Sequence, residues 1–431
     1  MIIKALSLRL RSFFTIFIAD NQIIMAIFKD HKIGVNQLLE YIPESLLANL
    51  SINTKVDYYA KVLHGKKLFY LLLYGILENE KLSQRTLEDT FNDSVFKLLF
   101  NLDKTEKVRR SSISERLSKI NPDYFKQIYE CIYEQFSILY SSSNRKSYNL
   151  IRVDSSIVSE TAGKLQEGIH SNQTEKKAVK YSVAFDGILP CYSKVFTSAT
   201  YSSEDIALPE VVLNHVKQDA EHQNIYVLDR GVQSARTMNN FNKDAITFIC
   251  RSKENRKYVE LESLLIKNQD LDLGESILIK DSKVHLYTGI PINNKKGNVH
   301  YKEKLVEVPF RLIIIENKTD SDKQFWFITN EFDLSAKEIA QAYRRRWDIE
   351  VFFRFIKQEL NVSHLVSLNK NGIQVMLYMT LIVAMLVLIY KHANNIGYKT
   401  AKRRFKMEVR NLAIALIVIQ CGGQPDKFFK T

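Results

Sequence analysis

The sequence has little cysteine, and the cysteines it has are scattered. Only four occur in 431 residues, and no two of them form a Cys-x-x-Cys pair. This spacing argues against a structural zinc site or a disulfide framework and suits a reducing compartment. We predict that all four are core residues: Cys131, Cys191, Cys250 and Cys421.

Internal repeats, low-complexity tracts and multiple long apolar runs are also missing. Residues 373–390 form the one run long enough to be considered as a membrane span, since about 18 apolar residues are needed. A helix that is apolar on all sides is also typical of the core of a large domain. Because no second span or topology pattern accompanies this run, we predict a buried core helix and no membrane association.

The N-terminal stretch joins a basic start to a short apolar run. Asp20 interrupts the run and no convincing cleavage site follows, so a signal peptide is the less favoured interpretation. An upstream start codon, with Met25 as the true start, is the other. We therefore treat residues 1–24 as an extension whose translation the sequence leaves open.

Acidic side chains are outnumbered by basic ones. The chain has 61 Lys and Arg against 48 Asp and Glu, which gives a net charge of +13. Such a protein is attracted to polyanions through the sequence-independent pull of phosphates. Charge alone leaves DNA, RNA and an anionic membrane open as partners. The length predicts roughly two or three domains.

The first long block, residues 25–145, has helical patterns throughout, and we predict an all-helical domain that binds DNA. Within it Ser112 and Glu115 have the spacing of a capping box. A basic run in this block suits a DNA groove, although a solvated face is the commoner meaning of such runs. Its members are Lys104, Lys107, Arg109, Arg110, Arg116 and Lys119.

Strand and helix patterns then alternate, which predicts an α/β domain with a mixed sheet flanked by helices over residues 146–254 and 325–395. Between these two segments, residues 255–324 contain short β-like pieces, including a predicted hairpin in "SILIKDSKVHLY". We predict a β-rich inserted subdomain there. Residues 396–431 are assigned to a C-terminal tail.

Two aspartates follow apolar strand patterns. "LIRVD" is mostly apolar up to Asp154, and the continuous apolar run before Asp229 is typical of a strand buried on both faces. We expect each aspartate to end its strand at the edge of the sheet. Singly, such a residue is more often a turn or capping residue than a functional one.

A basic and aromatic helix is predicted after Ser335, which forms a second capping box with Glu338. Helical residues seven apart nearly eclipse, and those four apart lie within about 40°. One face should therefore carry Tyr343, Arg346, Glu350, Arg354 and Lys357. In the simplest interpretation the glutamate pairs with the two arginines, at about 0.3 to 0.5 kcal/mol for each pair. Trp347 is assigned to packing.

Asp154, Asp229 and Glu350 together predict a metal site. Mg²⁺ prefers oxygen ligands, and two such ions about 4 Å apart can activate an attacking water and stabilise the leaving oxygen at a phosphodiester. Three carboxylates from two strand ends and one helix supply the chemistry that such a pair needs. The neighbouring cations would then hold a polyanionic substrate.

The helix resembles the signature of cut-and-paste DDE transposases from bacterial insertion sequences. The relevant subgroup is marked by Tyr, two residues, Arg, three residues, Glu, six residues and Lys. Tyr343, Arg346, Glu350 and Lys357 match every spacing, and "VDSS" and "LDRG" fit the other two family motifs. The resemblance covers about residues 145–395.

The resemblance implies a ribonuclease H-like catalytic core in which Asp154, Asp229 and Glu350 hold two Mg²⁺ ions, for which Mn²⁺ can substitute. It implies an enzyme that nicks DNA at the end of the element, forms and opens a hairpin, and joins the released end to target DNA. The expected partners are double-stranded terminal inverted repeats and target DNA. A homodimer assembled on DNA, in the bacterial cytoplasm at the nucleoid, is expected.

The resemblance also implies DNA contacts. Tyr343, Arg346 and Lys357 match positions that grip phosphates near the transposon end. Trp326 lies where relatives place an aromatic residue that stacks on a flipped base, although a tryptophan in an apolar strand is more often core.

Two other classes of function stay open at this point. A ribonuclease H-like DNA nuclease would share the three carboxylates but lack an end-specific binding domain. A catalytically inactive descendant would bind DNA ends without cleaving them.

Overall fold

The computed structural model describes residues 32–141, 148–159, 164–165, 168–171, 174–219, 223–264, 271–293 and 299–425. The predictions for residues 1–24 and for a start at Met25 lie outside these ranges. The chain divides into two compact units. The helical unit holds the described residues up to Gln135, residues 359–361 and residues from Gln374 onward, and the sheet unit holds residues 136–358 and 362–373.

The N-terminal part of the helical unit is all α in its described residues, and the bounds and DNA-binding role of the predicted N-terminal domain stay predictions. Its helices are α1 Val35–Leu39, α2 Glu44–Thr54, α3 Gly65–Glu78, α4 Gln84–Asn92, α5 Ser94–Leu99, α6 Arg110–Lys119 and α7 Asp123–Ser141. The predicted capping box at Ser112 is wrong, because α6 starts earlier with Arg109 as its N-cap. Arg116 is not a free cation of the basic run, since it donates to the carbonyls of Leu63 and Val56.

The long apolar run forms the central helix of the helical unit. This helix, α12 Lys370–Ala393, is long and apolar enough to cross a bilayer by length and composition, but 89% of its most apolar window lies inside the protein. Every residue from Leu381 to Tyr390 is at most 1% exposed. The prediction of a buried core helix is therefore confirmed. A last helix, α13 Tyr398–Gln420, follows it.

The sheet unit is a mixed sheet flanked by helices, which confirms the predicted α/β class. The strands are β1 Asn149–Ser159, β2 Ile169–Ser171, β3 Thr174–Phe185, β4 Pro190–Phe196, β5 Asn224–Leu228, β6 Thr247–Ser252, β7 Tyr258–Ser263, β8 Ser276–Asn293, β9 Val299–Leu305, β10 Phe310–Asn317 and β11 Asp320–Thr329. The helices are a 3₁₀ turn at Ala199–Ser202, α8 Glu204–Gln218, α9 Ala235–Lys243, α10 Ala336–Arg344 and α11 Trp347–Glu359.

The strand order is β2-β3-β1-β5-β6-β11-β10-β8-β7, with β4 on β3 and β9 on β8. Strands β1, β5 and β6 run parallel, and β3 and β11 join them antiparallel on either side. The strands of the predicted insertion extend this same sheet, because β10 pairs with β11. The boundaries of that insertion stay a prediction.

The predicted hairpin in "SILIKDSKVHLY" is wrong, because the segment lies within the single strand β8. Its polar centre suggests a turn in the sequence. In the fold, however, Asp281 pairs in register with Ile313 of β10 and is only 1% exposed. Both of its carboxylate oxygens accept hydrogen bonds from Arg311. A buried ion pair therefore replaces the turn.

The prediction for the cysteines is correct for Cys191 and Cys250, which are buried. Cys131 is half-buried. The prediction is wrong for Cys421, which is exposed just after the end of α13.

A buried histidine joins α8 to β5. His215 is 2% exposed, and its Nδ1 lies 2.8 Å from the hydroxyl of Tyr226. Burial lowers the pKa of His215 to about 4, because desolvation disfavours the charged imidazolium. The folded state therefore keeps this imidazole neutral at pH values where the unfolded chain binds a proton.

This lowered pKa predicts a pH dependence of stability. The contribution of a neutral His215 is complete above pH 6.5 and is lost as the pH falls toward 4. Between pH 7.5 and 5.5 we expect a loss of about 1.4 kcal/mol in the free energy of unfolding. Glutamine at position 215 does not titrate. In thermal melts, the stability difference between the wild type and His215→Gln should therefore shrink as the pH falls through this range. A constant difference would contradict the prediction.

Candidate active site

The two aspartates lie at the end of the parallel pairing between β1 and β5. That pairing runs from Asn149 opposite Asn224 to Val153 opposite Leu228, and Asp154 and Asp229 are the next residue on each chain segment. Carboxyl ends of adjacent parallel strands meet at one edge of a sheet, which is where ligand sites form in such folds. Pairing between β1 and β5 therefore brings the two carboxylates close together.

The prediction that β1 ends at Asp154 is wrong. The strand continues to Ser159, because β3 is long enough to pair with it there, and Asp154 lies opposite Val183. Asp229 does end its strand, as predicted, since β5 stops at Leu228.

The predicted helix around Glu350 is two helices. The capping box of Ser335 and Glu338 opens α10 as predicted, but α10 ends at Arg344 and α11 begins at Trp347. At the junction, backbone hydrogen bonds span three residues, for example from Asp348 N to the Arg345 carbonyl. Such a tight turn changes the direction of the chain, so the residues before and after it do not share one continuous helical face.

All three predicted metal ligands converge on one guanidinium. Arg346, in the junction, places Nη1 3.3 Å from Asp154 Oδ2 and Nε 3.9 Å from Asp229 Oδ1, and its Nη2 donates to Glu350 Oε1. The predicted pairing of Glu350 with Arg346 is therefore present. Arg354 lies elsewhere, with its guanidinium 5.9 Å from the centre of the Trp347 ring.

The site is partly buried, and its electrostatics follow from that. The pKa of Asp154 is raised to about 7, mainly by burial and to a smaller extent by the charges of Asp229 and Glu204. The Ser155 amide and Arg346 oppose this shift by stabilising the anion. Burial alone would lower the pKa of Arg346, but Glu350 and the other carboxylates raise it overall. The guanidinium therefore stays charged among the three acids.

The other predicted DNA-contact residues differ in their surroundings. Tyr343 packs against Phe327 at 4.9 Å between ring centres, and burial raises the pKa of its hydroxyl. Lys357 lies half-buried on α11. Trp326 is half-buried in β11, where its described contacts are with Tyr258 and Gln324 and do not include the three carboxylates.

Trp347 is not a packing residue, contrary to the prediction. It is 53% exposed at the first position of α11. The apolar face of this helix is supplied instead by buried residues such as Phe352, which stacks on Phe185 of β3 at 5.0 Å. The exposed indole lies three residues before Glu350, on the open side of the helix.

Residues at the start of α8 also shape the site, and sequence reasoning missed them. Glu204 accepts a hydrogen bond from Ser155 and pairs with the fully buried Lys180. Asp205 accepts from the backbone amides of Gln233 and Ser234 in the loop after Asp229. The run "SED" signals a helix start, but its partners lie in other elements.

The donor set fits a divalent cation. Three carboxylates already converge on a positive charge, and Arg346 Nε is buried without a hydrogen-bond partner. As placed, no three acidic, histidine or cysteine side chains in the described ranges are close enough to hold a metal. The guanidinium stands between Asp154, Asp229 and Glu350, so it has to withdraw before they can share an ion.

This arrangement predicts that Arg346 competes with metal. Arg346→Gln leaves three carboxylates without their cation, so we expect Mn²⁺ to bind the variant roughly tenfold more tightly, or by about 1.4 kcal/mol. Melting temperatures measured over a Mn²⁺ titration report this affinity. Arg344→Gln is the matched control, because Arg344 pairs with the exposed Glu275. Equal Mn²⁺ responses in both variants would contradict the competition.

Fold and site define a mixed α/β protein with an acidic centre at the end of its parallel strands. The family model of the transposase DDE domain matches residues 145–386, more than half of the chain. The chain therefore belongs to the transposase DDE domain family.

Relatives of this chain are transposases of insertion sequences. The probable transposase of element IS5377 from Geobacillus stearothermophilus is 25% identical over 284 residues, which span 64% of this chain and 66% of the relative. The transposase assigned to element IS4SA of Synechocystis sp. is 25% identical over 346 residues, which span 79% and 85%. Among solved structures, a piggyBac transposase synaptic complex with hairpin DNA aligns at a TM-score of 0.46 and 10% identity, covering 89% of this chain and 79% of that one.

Proposed function

We propose that this protein is a DNA transposase that moves an insertion sequence by cut-and-paste transposition. The observation that carries the proposal is the convergence of Asp154, Asp229 and Glu350 on one cation, within a domain of the transposase family. The net charge of +13 suits a protein that handles DNA. We assign the chain to the subgroup with the Tyr-Arg-Glu-Lys signature.

A ribonuclease H-like core is part of this proposal. The order β4-β3-β1-β5-β6, with β3 and β4 antiparallel and β1, β5 and β6 parallel, supports it. Asp154 lies at the middle of β1, between β3 and β5 in this sheet.

In the proposed reaction, Asp154, Asp229 and Glu350 would hold two Mg²⁺ ions, or Mn²⁺ in their place. When bound, the ions supply an activated water or 3′ hydroxyl and neutralise the leaving oxygen of a phosphodiester. Burial raises the pKa of Asp154 because it destabilises the charged carboxylate. A nearby cation therefore stabilises this carboxylate strongly. The carboxylates thus prefer a bound positive charge, whether from arginine or from metal.

Arg346 has a second role in the proposal. A guanidinium binds phosphate through two parallel hydrogen bonds, so DNA in the site offers Arg346 an alternative to the carboxylates. Its transfer to a phosphate would open the acidic centre at the moment the substrate arrives. Tyr343 and Lys357 are proposed as further phosphate contacts, and Trp326 as the residue that stacks on a flipped base.

The partners in the proposal are terminal inverted repeats and target DNA, with a homodimer assembled on paired ends. The test is an incubation of purified protein with labelled end DNA and Mg²⁺. We expect Glu350→Gln to lower the cleavage rate at least about 100-fold, because a lost metal ligand removes several kcal/mol of charge stabilisation. Glu303→Gln is the control, since Glu303 makes an exposed ion pair with Lys257.

The products of this incubation distinguish the alternatives. Hairpin ends and joining to target DNA support transposition, whereas nicks without joining, at any sequence, indicate a plain nuclease. Specific binding without cleavage indicates an inactive descendant. Equal cleavage by the wild type and Glu350→Gln would remove this site from the reaction.

We further propose that α6 is the DNA-binding surface of the helical unit. The helix buries Ile113 and Leu117, and Arg116 is largely buried where it donates to backbone carbonyls, whereas most of its other residues are exposed. A shallow groove beside α4 is lined by polar side chains, and three of them are serines, whose short side chains let a helix approach DNA closely. Its lining is Gln84, Arg110, Ser111, Ser114, Glu115 and Ser118.

This surface predicts a salt-dependent loss of affinity. Arg109→Ala with Arg110→Ala removes two exposed charges, so we expect about tenfold weaker binding to end DNA and a salt slope smaller by about two. Lys399→Ala with Arg403→Ala, on the exposed side of α13, removes the same charge elsewhere in the unit. Gel shifts over a salt series measure the affinity for end DNA and its salt slope for both double variants. If both double variants weaken binding equally, the effect is one of net charge and α6 is not the surface.

A further inference from the structure

We propose that Arg152 is a positioning residue that sets the place of Arg346 and Glu350 opposite Asp154. The inference rests on the proposed role of those carboxylates. Arg152 lies two residues before Asp154 on β1 and is only 4% exposed. Neither its position in an apolar strand nor the family signature marks it as functional.

The side chain of Arg152 reaches from β1 to the junction between α10 and α11. Its Nε donates to the carbonyl of Arg345 at 3.2 Å, and its Nη2 lies 3.0 Å from Asp348 Oδ2. These two acceptors stand on either side of Arg346, and Asp348 is two residues before Glu350. One guanidinium therefore fixes the segment that carries both active-site side chains.

The other end of the guanidinium is tied to the sheet. Nη1 donates to the carbonyls of Leu150 and Asp186, both at 2.6 Å. Gly187 leaves the necessary room, since a Cβ there would lie 2.7 Å from Nη1, and its φ of +106° suits glycine. With acceptors from three chain segments, Arg152 has a single orientation.

A second contact also holds α11 on the sheet. Phe352 stacks on Phe185 with ring centres 5.0 Å apart, and such a stacked pair limits a small displacement of the helix less sharply than a hydrogen bond does. Hydrogen bonds to one carbonyl and one carboxylate do have direction. We infer that the aromatic pair stabilises the packing of α11 on the sheet, whereas the hydrogen bonds of Arg152 fix where α11 lies along the sheet and so place Glu350 near Asp154.

Arginine is required here because its planar fork serves several acceptors at once, which a lysine ammonium at the end of a flexible stem does not reproduce. The sheet offers a matched control in Arg311. It is also 4% exposed, binds both oxygens of Asp281, and donates to the carbonyl of Leu334. None of these partners is an active-site residue.

The experiment compares Arg152→Lys with Arg311→Lys in the full chain. Hydrogen exchange of peptides covering residues 345–353 should quicken at least fivefold in Arg152→Lys and stay unchanged in Arg311→Lys. At saturating end DNA, the cleavage rate of Arg152→Lys should fall at least tenfold with unchanged DNA affinity. Arg311→Lys should lose a similar amount of thermal stability but keep its rate, when both are measured below their melting transitions.

Asp348→Asn tests the same contact if Arg152→Lys fails to fold. Asp348 is 45% exposed, and this substitution leaves the buried Arg152 in place. Asp348→Asn should also quicken hydrogen exchange at residues 345–353 and lower the cleavage rate, but by less than Arg152→Lys does. Unchanged exchange at the junction in both Arg152→Lys and Asp348→Asn would overturn the positioning role whether or not the protein cuts DNA. A wild-type protein that does not cut end DNA would instead count against the proposed function and leave the exchange comparison to decide the role of Arg152.

Discussion

The contact on which the rest of this structure depends is one guanidinium among three carboxylates. A positive charge stabilises Asp154, Asp229 and Glu350 near one another as anions, because like charges repel strongly where water is partly excluded. Arg346 provides that charge from within the chain. The raised pKa of Asp154 records the cost of placing an acid there. In the proposed reaction, metal ions would take the place of this internal cation.

The sheet and the helix junction serve this contact in different ways. Parallel pairing of β1 with β5 ends one residue before each aspartate, so the two carboxylates are set side by side by backbone hydrogen bonds alone. The third carboxylate arrives on a helix, and a helix packed on a sheet by apolar side chains has no comparable register. In our proposal the buried guanidinium of Arg152 supplies this constraint, and the Arg345 carbonyl that it binds lies at the break between α10 and α11.

Much of this was predictable from local patterns. The structure contains several signals that neighbouring residues carry: the apolar strand followed by Asp229, the capping box at Ser335 and a uniformly apolar helix. The failures share a cause. The length of β1 depends on β3, the straight course of β8 depends on Arg311, and the break at Arg345 lies inside a segment with good helical propensity. In each case a partner distant in the chain overrides the local preference.

The sequence by itself determined the kinds of chemistry available: an acid after each of two apolar runs, the excess of basic charge, and a residue spacing that matches a transposase signature. That spacing is the one between Tyr343, Arg346, Glu350 and Lys357. These are properties of residue identity and order, and they need no coordinates. The tertiary structure alone decided that Arg346 stands between all three acids, that Trp347 is exposed, and that Arg152 binds the junction. Contacts between segments nearly 200 residues apart in the chain depend on how the sheet and its helices pack, and no local pattern encodes that.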